Sequence, residues 1–294
     1  MLWPGLPSGP CVYRPVWRSN CTASGLIRTR VLLQSGNDRK YHLEATVQTV
    51  LIIGAGAGIS GGVARRFGRE GYKIGLVARS AAALELQCNE LAAAGMGACF
   101  ETADAGDPPR LQYAIERLTE QLGPIDVLIY NASVMRPASP LELSTEQLSH
   151  EFSVNLLGAF QAAQQVAPSM IRRGLGAILF TGGGLALEPY PEWTSLALGK
   201  AALRSLSLSL YKELSPKGVH VSVLAVCGIV EQRGPFDPDI IADEYYRVAT
   251  APNGIEDREV IIQPEGTDVF YNDPDRRHAG TTLPPSHVRE TVKL

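Results

Sequence analysis

Gly54-Ala55-Gly56-Ala57-Gly58-Ile59-Ser60-Gly61-Gly62 follows the apolar run Val50-Leu51-Ile52-Ile53 and leads into Val63-Ala64-Arg65-Arg66-Phe67. Strand, glycine-rich turn and helix in that order suit a pyrophosphate: glycines let the main chain turn sharply and approach the anion, and the helix N-terminus supplies N–H donors and positive dipole. Gly54, Gly58, Ile59 and Ser60 are the candidate phosphate contacts. A second apolar run, Ile74-Gly75-Leu76-Val77, ends at Ala78-Arg79-Ser80. An Asp or Glu there would accept from a ribose 2′-hydroxyl and repel a 2′-phosphate; Arg79 does the reverse, with Ser80 adding a hydroxyl. NADP(H) is therefore the expected cofactor.

The other reactive residues are scattered. Five cysteines, at 11, 21, 88, 99 and 227, show no C-x-x-C spacing, and five histidines, at 42, 150, 220, 278 and 287, form no H-E-x-x-H. No metal site is expected. Cys227 reads as a small buried thiol rather than a nucleophile, since no histidine is placed beside it by sequence. The odd thiol count suits a reducing, cytoplasmic setting. With 27 basic against 30 acidic residues, the net charge is −3 and no chain-wide positive field exists to hold nucleic acid or an anionic membrane. The chain is 45% hydrophobic without a run of the length that a membrane helix needs, so a soluble or peripheral protein is expected.

The elements that would position these residues are legible as alternating patterns. Strand candidates are 50–53, 74–77, 125–129, 177–180 and 219–224, with weaker ones at 98–100 and 260–262; helix candidates lie near 59–70, 81–94, 108–122, 145–173, 192–215 and 239–248. Strands apolar on both faces and separated by helices form a parallel sheet covered on both sides. The expected fold is a doubly wound α/β domain of Rossmann type, spanning 48–264. Residues 1–47, broken by Pro4, Pro7, Pro10 and Pro15, read as an irregular extension; its basic, acid-poor balance is that of a targeting segment, but no amphipathic stripe accompanies it, which favours a mis-assigned start or a plain disordered tail. Residues 265–294 read as a polar, mobile tail.

Taken in order, these motifs resemble the short-chain dehydrogenase/reductase family over roughly residues 48–235. The glycine loop is similar to the family's T-G-x-x-x-G-x-G, with Gly54 and Gly58 in place, Ile53 for the threonine and Ser60 for the last glycine. Arg79 stands where NADP-preferring members keep a basic residue, and Asp104 where an acid contacts the adenine amino group. Tyr130-Asn131-Ala132-Ser133 replaces N-N-A-G, which makes Asn131 the brace of the central strand and puts it with Ala132 beside the cofactor. Asn155 matches the asparagine that holds the catalytic lysine through water. Gly228, in Cys227-Gly228, stands for the P-G near the nicotinamide amide.

The catalytic half departs from the pattern. The family's Y-x-x-x-K is Leu196-Ala197-Leu198-Gly199-Lys200, so Lys200 persists and can bind the nicotinamide ribose, whereas Leu196 cannot donate a proton. The family's serine falls in Thr181-Gly182-Gly183-Gly184, missing or displaced to Thr181. Trp193, if the helix begins by 192, would lie on nearly the face of Lys200; Glu192 and Tyr190 are the other imaginable substitutes for the acid. The resemblance implies an oxidoreductase of a small carbonyl or alcohol with Lys200 and Asn155 as its surviving catalytic residues. The rivals are a non-catalytic NADP(H)-binding sensor or subunit and a non-redox isomerase or lyase. The resemblance also implies a homodimer or homotetramer through the two long helices, with Leu203, Leu206, Leu208 and Leu210 as the apolar positions to inspect.

Overall fold

The computed structural model describes residues 47–251 and 257–264, so the expectations for 1–46 and 265–294 lie outside the described residues. Among the described residues seven strands form one parallel sheet: β1 (Thr49–Ile53), β2 (Lys73–Ala78), β3 (Ala98–Thr102), β4 (Val127–Tyr130), β5 (Gly176–Thr181), β6 (Val219–Val226) and β7 (Glu259–Ile262), ordered β3-β2-β1-β4-β5-β6-β7. The weak strand candidates at 98–100 and 260–262 both form. Burial on two faces explains the apolar runs. Leu51, Ile53, Leu128, Ile178 and Phe180 pack to one side, while Val50, Ile52, Ile129, Ala177 and Leu179 pack to the other.

The helices are α1 (Ile59–Arg69), α2 (Ala81–Ala93), α3 (Pro108–Leu122), α4 (Thr145–Phe152), α5 (Gly158–Arg173), α6 (Thr194–Leu214) and α7 (Pro238–Thr250). Their starts follow local chemistry: Ser80, Asp107, Ser144 and Asp237 each accept a backbone N–H of the first turn, and Ser144 with Gln147 completes a capping box. Two expectations change. The 145–173 helix is interrupted by a π-helical turn at Ser153–Leu157, and α6 begins at Thr194 rather than 192. The later start follows from Pro189 and Pro191, which favour extended backbone, and from pairing of the Glu192 carbonyl with the Ala138 N–H. Leu203 is core rather than surface, with Leu206 and Leu210 packed half-buried against it. Among the described residues no helix is long and apolar enough to cross a membrane.

Candidate active site

The sheet order reverses between β1 and β4, where successive crossovers run to opposite sides and leave a crevice beyond the strand C-termini. Gly54 closes β1 there at φ +86°, and a Cβ on it would overlap the backbone of Asn131 and Ala132. A side chain is excluded by both conformation and neighbour. Asn131 Nδ2 donates to Ser60 Oγ at 2.7 Å and to the Gly54 carbonyl at 3.2 Å, and Ser60 Oγ donates to the same carbonyl at 2.7 Å. The glycine turn is thus fastened to the end of β4 by two side chains that the sequence placed in the site. Further out, a Cβ at Gly56 or Gly58 would meet nothing within 4 Å, and no side chain caps α1 at Gly58. Ile59 and Ser60 open that helix. This open rim beside an uncapped helix N-terminus is a cradle that fits a dinucleotide diphosphate.

Arg79 and Ser80 lie exposed at the end of β2. Ser80 has a structural duty as well: its oxygen accepts the Ala83 N–H at 3.3 Å, which fixes the start of α2. Asp104, after β3, accepts the Gly106 N–H on Oδ1 at 2.8 Å. These residues and Gly54 border the same edge of the sheet, beyond the C-termini of β2, β3 and β1. Gly228, after β6, lies under the Phe236 ring so closely that any side chain would overlap it. That contact presses the segment between β6 and α7 onto the sheet edge.

Across the switch, Lys200 on α6 is 8% exposed and its Nζ donates to the Thr181 carbonyl at 2.6 Å. Burial alone pulls its pKa down from 10.5 to about 8. Asn155, in the π-helical turn, accepts the Val134 N–H on Oδ1 at 2.7 Å and donates to the Val134 carbonyl at 3.4 Å. It braces the segment after β4, and α6 reaches it through Gly199, whose absent side chain would meet the Asn155 Cβ at 2.6 Å. Leu196, 7% exposed, stands one turn before Lys200 and presents no polar atom.

The imagined substitutes for an acid fare differently. Thr181 is taken: its Oγ1 is 2.6 Å from the Tyr245 hydroxyl of α7, on the side of the sheet away from α6, so it does not serve as the displaced serine. Trp193 and Glu192 precede α6 and do not share the helix face of Lys200. Gly183, by contrast, would accept a Cβ at ordinary contact distances, 3.7 Å from the Val226 carbonyl oxygen and 3.9 Å from Lys200 Cγ. Cys227 is buried and its thiol is pushed up to about 12, chiefly by burial, which keeps it neutral.

Three residues bearing on the site escaped sequence reasoning. Tyr130, in the first position of the N-N-A-G-like motif, donates its phenol to the Val154 carbonyl at 2.5 Å, and so ties β4 to the π-helical turn. An aromatic in an otherwise aliphatic strand was the available signal. Glu151 of α4 is 2% exposed and paired with Arg136, whose Nε is 2.6 Å from Oε1; this fixes the loop after Asn131. Gly199 carried no signal, since a glycine inside a helix shows nothing of what it touches.

The short chain dehydrogenase family model matches residues 48–233. The oxidoreductase UcpA of Escherichia coli (strain K12) is 33% identical over 212 residues, covering 68% of this chain and 79% of that protein. The ketoacyl reductase HetN of Nostoc sp. is 31% identical over 231 residues, 77% of this chain and 79% of its own length. Among solved structures, a metagenomic short-chain oxidoreductase in complex with NADP superposes with a TM-score of 0.69 at 27% identity, over 74% of this chain and 96% of that one. An alcohol dehydrogenase from Thermococcus sibiricus complexed with 5-hydroxy-NADP gives 0.66 at 25%, over 74% and 99%. Sheet order, glycine turn and sequence agree on the descent of this fold, and the chain belongs to the short-chain dehydrogenase/reductase family.

Proposed function

We propose that the protein is an NADP(H)-dependent oxidoreductase that interconverts a small carbonyl compound and its alcohol. The observation that carries this reading is the pairing of an open diphosphate cradle with a buried lysine across the same crevice. Gly54, Gly58, Ile59 and Ser60 would hold the diphosphate, Arg79 and Ser80 the 2′-phosphate, Asp104 the adenine, and Asn131, Ala132, Lys200 and Gly228 the nicotinamide half. Bound there, the cofactor supplies or accepts a hydride. The chain's own part is positioning: Asn131 locks the glycine turn, Asn155 sets the loop over β4, and Lys200 offers a cation to the ribose and the reacting oxygen.

A nucleotide-binding sensor or subunit without catalysis is favoured by one observation, the apolar, buried Leu196 one turn before Lys200. A non-redox isomerase or lyase is the remaining alternative. NADPH oxidation followed at 340 nm against a panel of ketones and aldehydes separates these readings, with fluorescence titration of NADPH run beside it. Turnover with tight NADPH binding supports the oxidoreductase; binding without turnover supports the sensor; product without a change in absorbance supports the isomerase or lyase.

The folded unit we assign to residues 48–264, acting in the cytoplasm. Self-association through α5 and α6 fits the exposure of Leu157 (52%) in the π-helical turn, Phe160 (43%) on α5 and Leu198 (46%) on α6.

A further inference from the structure

The oxidoreductase reading leaves a gap that the geometry of Lys200 fills. Hydride delivered to a carbonyl carbon breaks the C=O π bond and leaves an alkoxide, which needs a proton. No phenol is available at Leu196, and no hydroxyl at Gly183 or on the near side of Thr181. Lys200 is buried, its Nζ has one acceptor among the described residues, the Thr181 carbonyl, and Gly183 carries no side chain where a Cβ would touch the lysine stem at 3.9 Å. We propose, resting on the oxidoreductase reading, that Lys200 is itself the general acid: its ammonium transfers a proton to the alkoxide oxygen, an O–H bond forms as an N–H bond breaks, and solvent reprotonates the neutral amine.

The surroundings leave the amine free for that exchange. Of the groups on elements packed against α6, Cys227 after β6 is a neutral thiol, Glu151 of α4 is committed to Arg136, and Tyr130 is bonded to the Val154 carbonyl of the π-helical turn. His220 at the start of β6, Arg172 and Arg173 at the end of α5, and Lys217 after α6 belong to the opposite end of the sheet. On α6 itself, Arg204 is held by Glu259. Among the described residues no carboxylate stabilises the ammonium, so burial moves its titration to about 8, where it is charged at neutral pH yet releases its proton readily. A lysine paired with an acid would stay charged and hold the proton too firmly.

The test has two independent readouts. In protein labelled with 13C-lysine, the Cε resonance lost in Lys200→Arg should titrate near 8; a midpoint at the ordinary lysine value overturns the proposal and leaves the oxidoreductase reading standing. In steady-state kinetics, kcat/KM for carbonyl reduction should fall about tenfold per pH unit above that midpoint, as the acid form disappears. Lys200→Arg should keep NADPH affinity by fluorescence titration while reduction drops roughly 10²–10⁴-fold. An arginine variant that reduces as well as wild type overturns the role of Lys200. Failure of the wild type to reduce any carbonyl overturns both readings together.

Discussion

The two glycines that follow Thr181 separate sharply under substitution, and one of them is the route to a conventional acid. A serine at Gly182 would place its Cβ 2.8 Å from Val223 Cγ2 and 3.2 Å from Ala225 Cα, inside the β5–β6 pair. Overpacking of that kind costs roughly 1–3 kcal/mol, a fall in Tm of roughly 3–10 °C for a domain of this size. At Gly183 the nearest atoms are 3.7 and 3.9 Å away, ordinary contact distances, and its φ of 179° is extended backbone that serine adopts freely. Gly183→Ser should therefore melt close to wild type. Combined with Leu196→Tyr, it puts a hydroxyl and a phenol on either side of the Lys200 stem, and the ammonium lowers the phenol's pKa toward the working range. A positioned acid is worth roughly 10²–10⁴ in rate; with Lys200 already donating, the gain should sit near the low end, and the alkaline limb of the pH profile should shift. Differential scanning fluorimetry checks the fold, and NADPH consumption with simple ketones checks the chemistry. Equal destabilisation by the two serines would refute the steric reasoning. A double variant that folds and binds NADPH normally yet, like wild type, reduces no ketone would mean that the pocket is built for something other than carbonyl reduction, and the sensor and isomerase readings would then lead.

Arg79→Glu should abolish a preference for NADPH over NADH, since a charge-assisted bond to the 2′-phosphate is worth roughly 1.5–3 kcal/mol, or about 10- to 150-fold in Kd; equal affinities already in wild type would remove the cofactor assignment. Leu157→Glu with Phe160→Glu should dissociate a dimer or tetramer seen by light scattering at micromolar concentration, whereas a monomeric wild type counts against association through α5 and α6. Stability should respond to the buried lysine with a defined sign. The unfolded chain keeps Lys200 charged to 10.5 and the folded one only to about 8, so the penalty is full below 8 and is relieved as pH rises between the two values. Cys227 acts in the opposite sense above 9.0, because its folded thiol holds the proton to about 12. The difference in urea midpoint between wild type and Lys200→Met isolates the lysine: it should change in favour of wild type from pH 7 to pH 9.5, and a constant difference would contradict a lowered pKa.

The architecture was legible because each strand carries its own evidence of two-sided burial and most helices announce their starts, as Ser80, Asp107, Ser144 and Asp237 do. The meeting of Gly54, Ser60 and Asn131 was legible for a related reason: strand ends converge at a switch point, so order along the chain suffices to bring these residues together. Facing is harder to read. In a strand buried on both sides no alternation of polar and apolar residues reveals which way a side chain points, and Thr181 consequently looked available to the pocket although its hydroxyl is paired with Tyr245 behind the sheet. Trp193 and Glu192 were misplaced by the mirror-image difficulty, since a helical phase extrapolated past Pro191 has no meaning once the backbone is held by Ala138.

A buried lysine with Leu196 one turn before it has a physical logic of its own. A buried ammonium without a hydrogen-bond partner carries a desolvation cost large enough to favour an uncharged side chain in its place. Here the Thr181 carbonyl satisfies Nζ, and Gly199 lets α6 lie close enough against Asn155 to keep the lysine enclosed. Lys200 is thereby held as a solvated-by-protein cation whose proton is only loosely held, across the crevice from the glycine turn. Methionine at 200 would keep most of the stem's packing and free the carbonyl, while arginine would keep the charge and move its proton out of reach. If the lysine persisted for packing alone, methionine would be the better tolerated of the two for cofactor affinity; if for its cation at the ribose, arginine would be. Comparing the NADPH Kd of the two variants therefore decides which of these forces has held Lys200 in place, and an unchanged Kd in both would leave proton transfer as its remaining task.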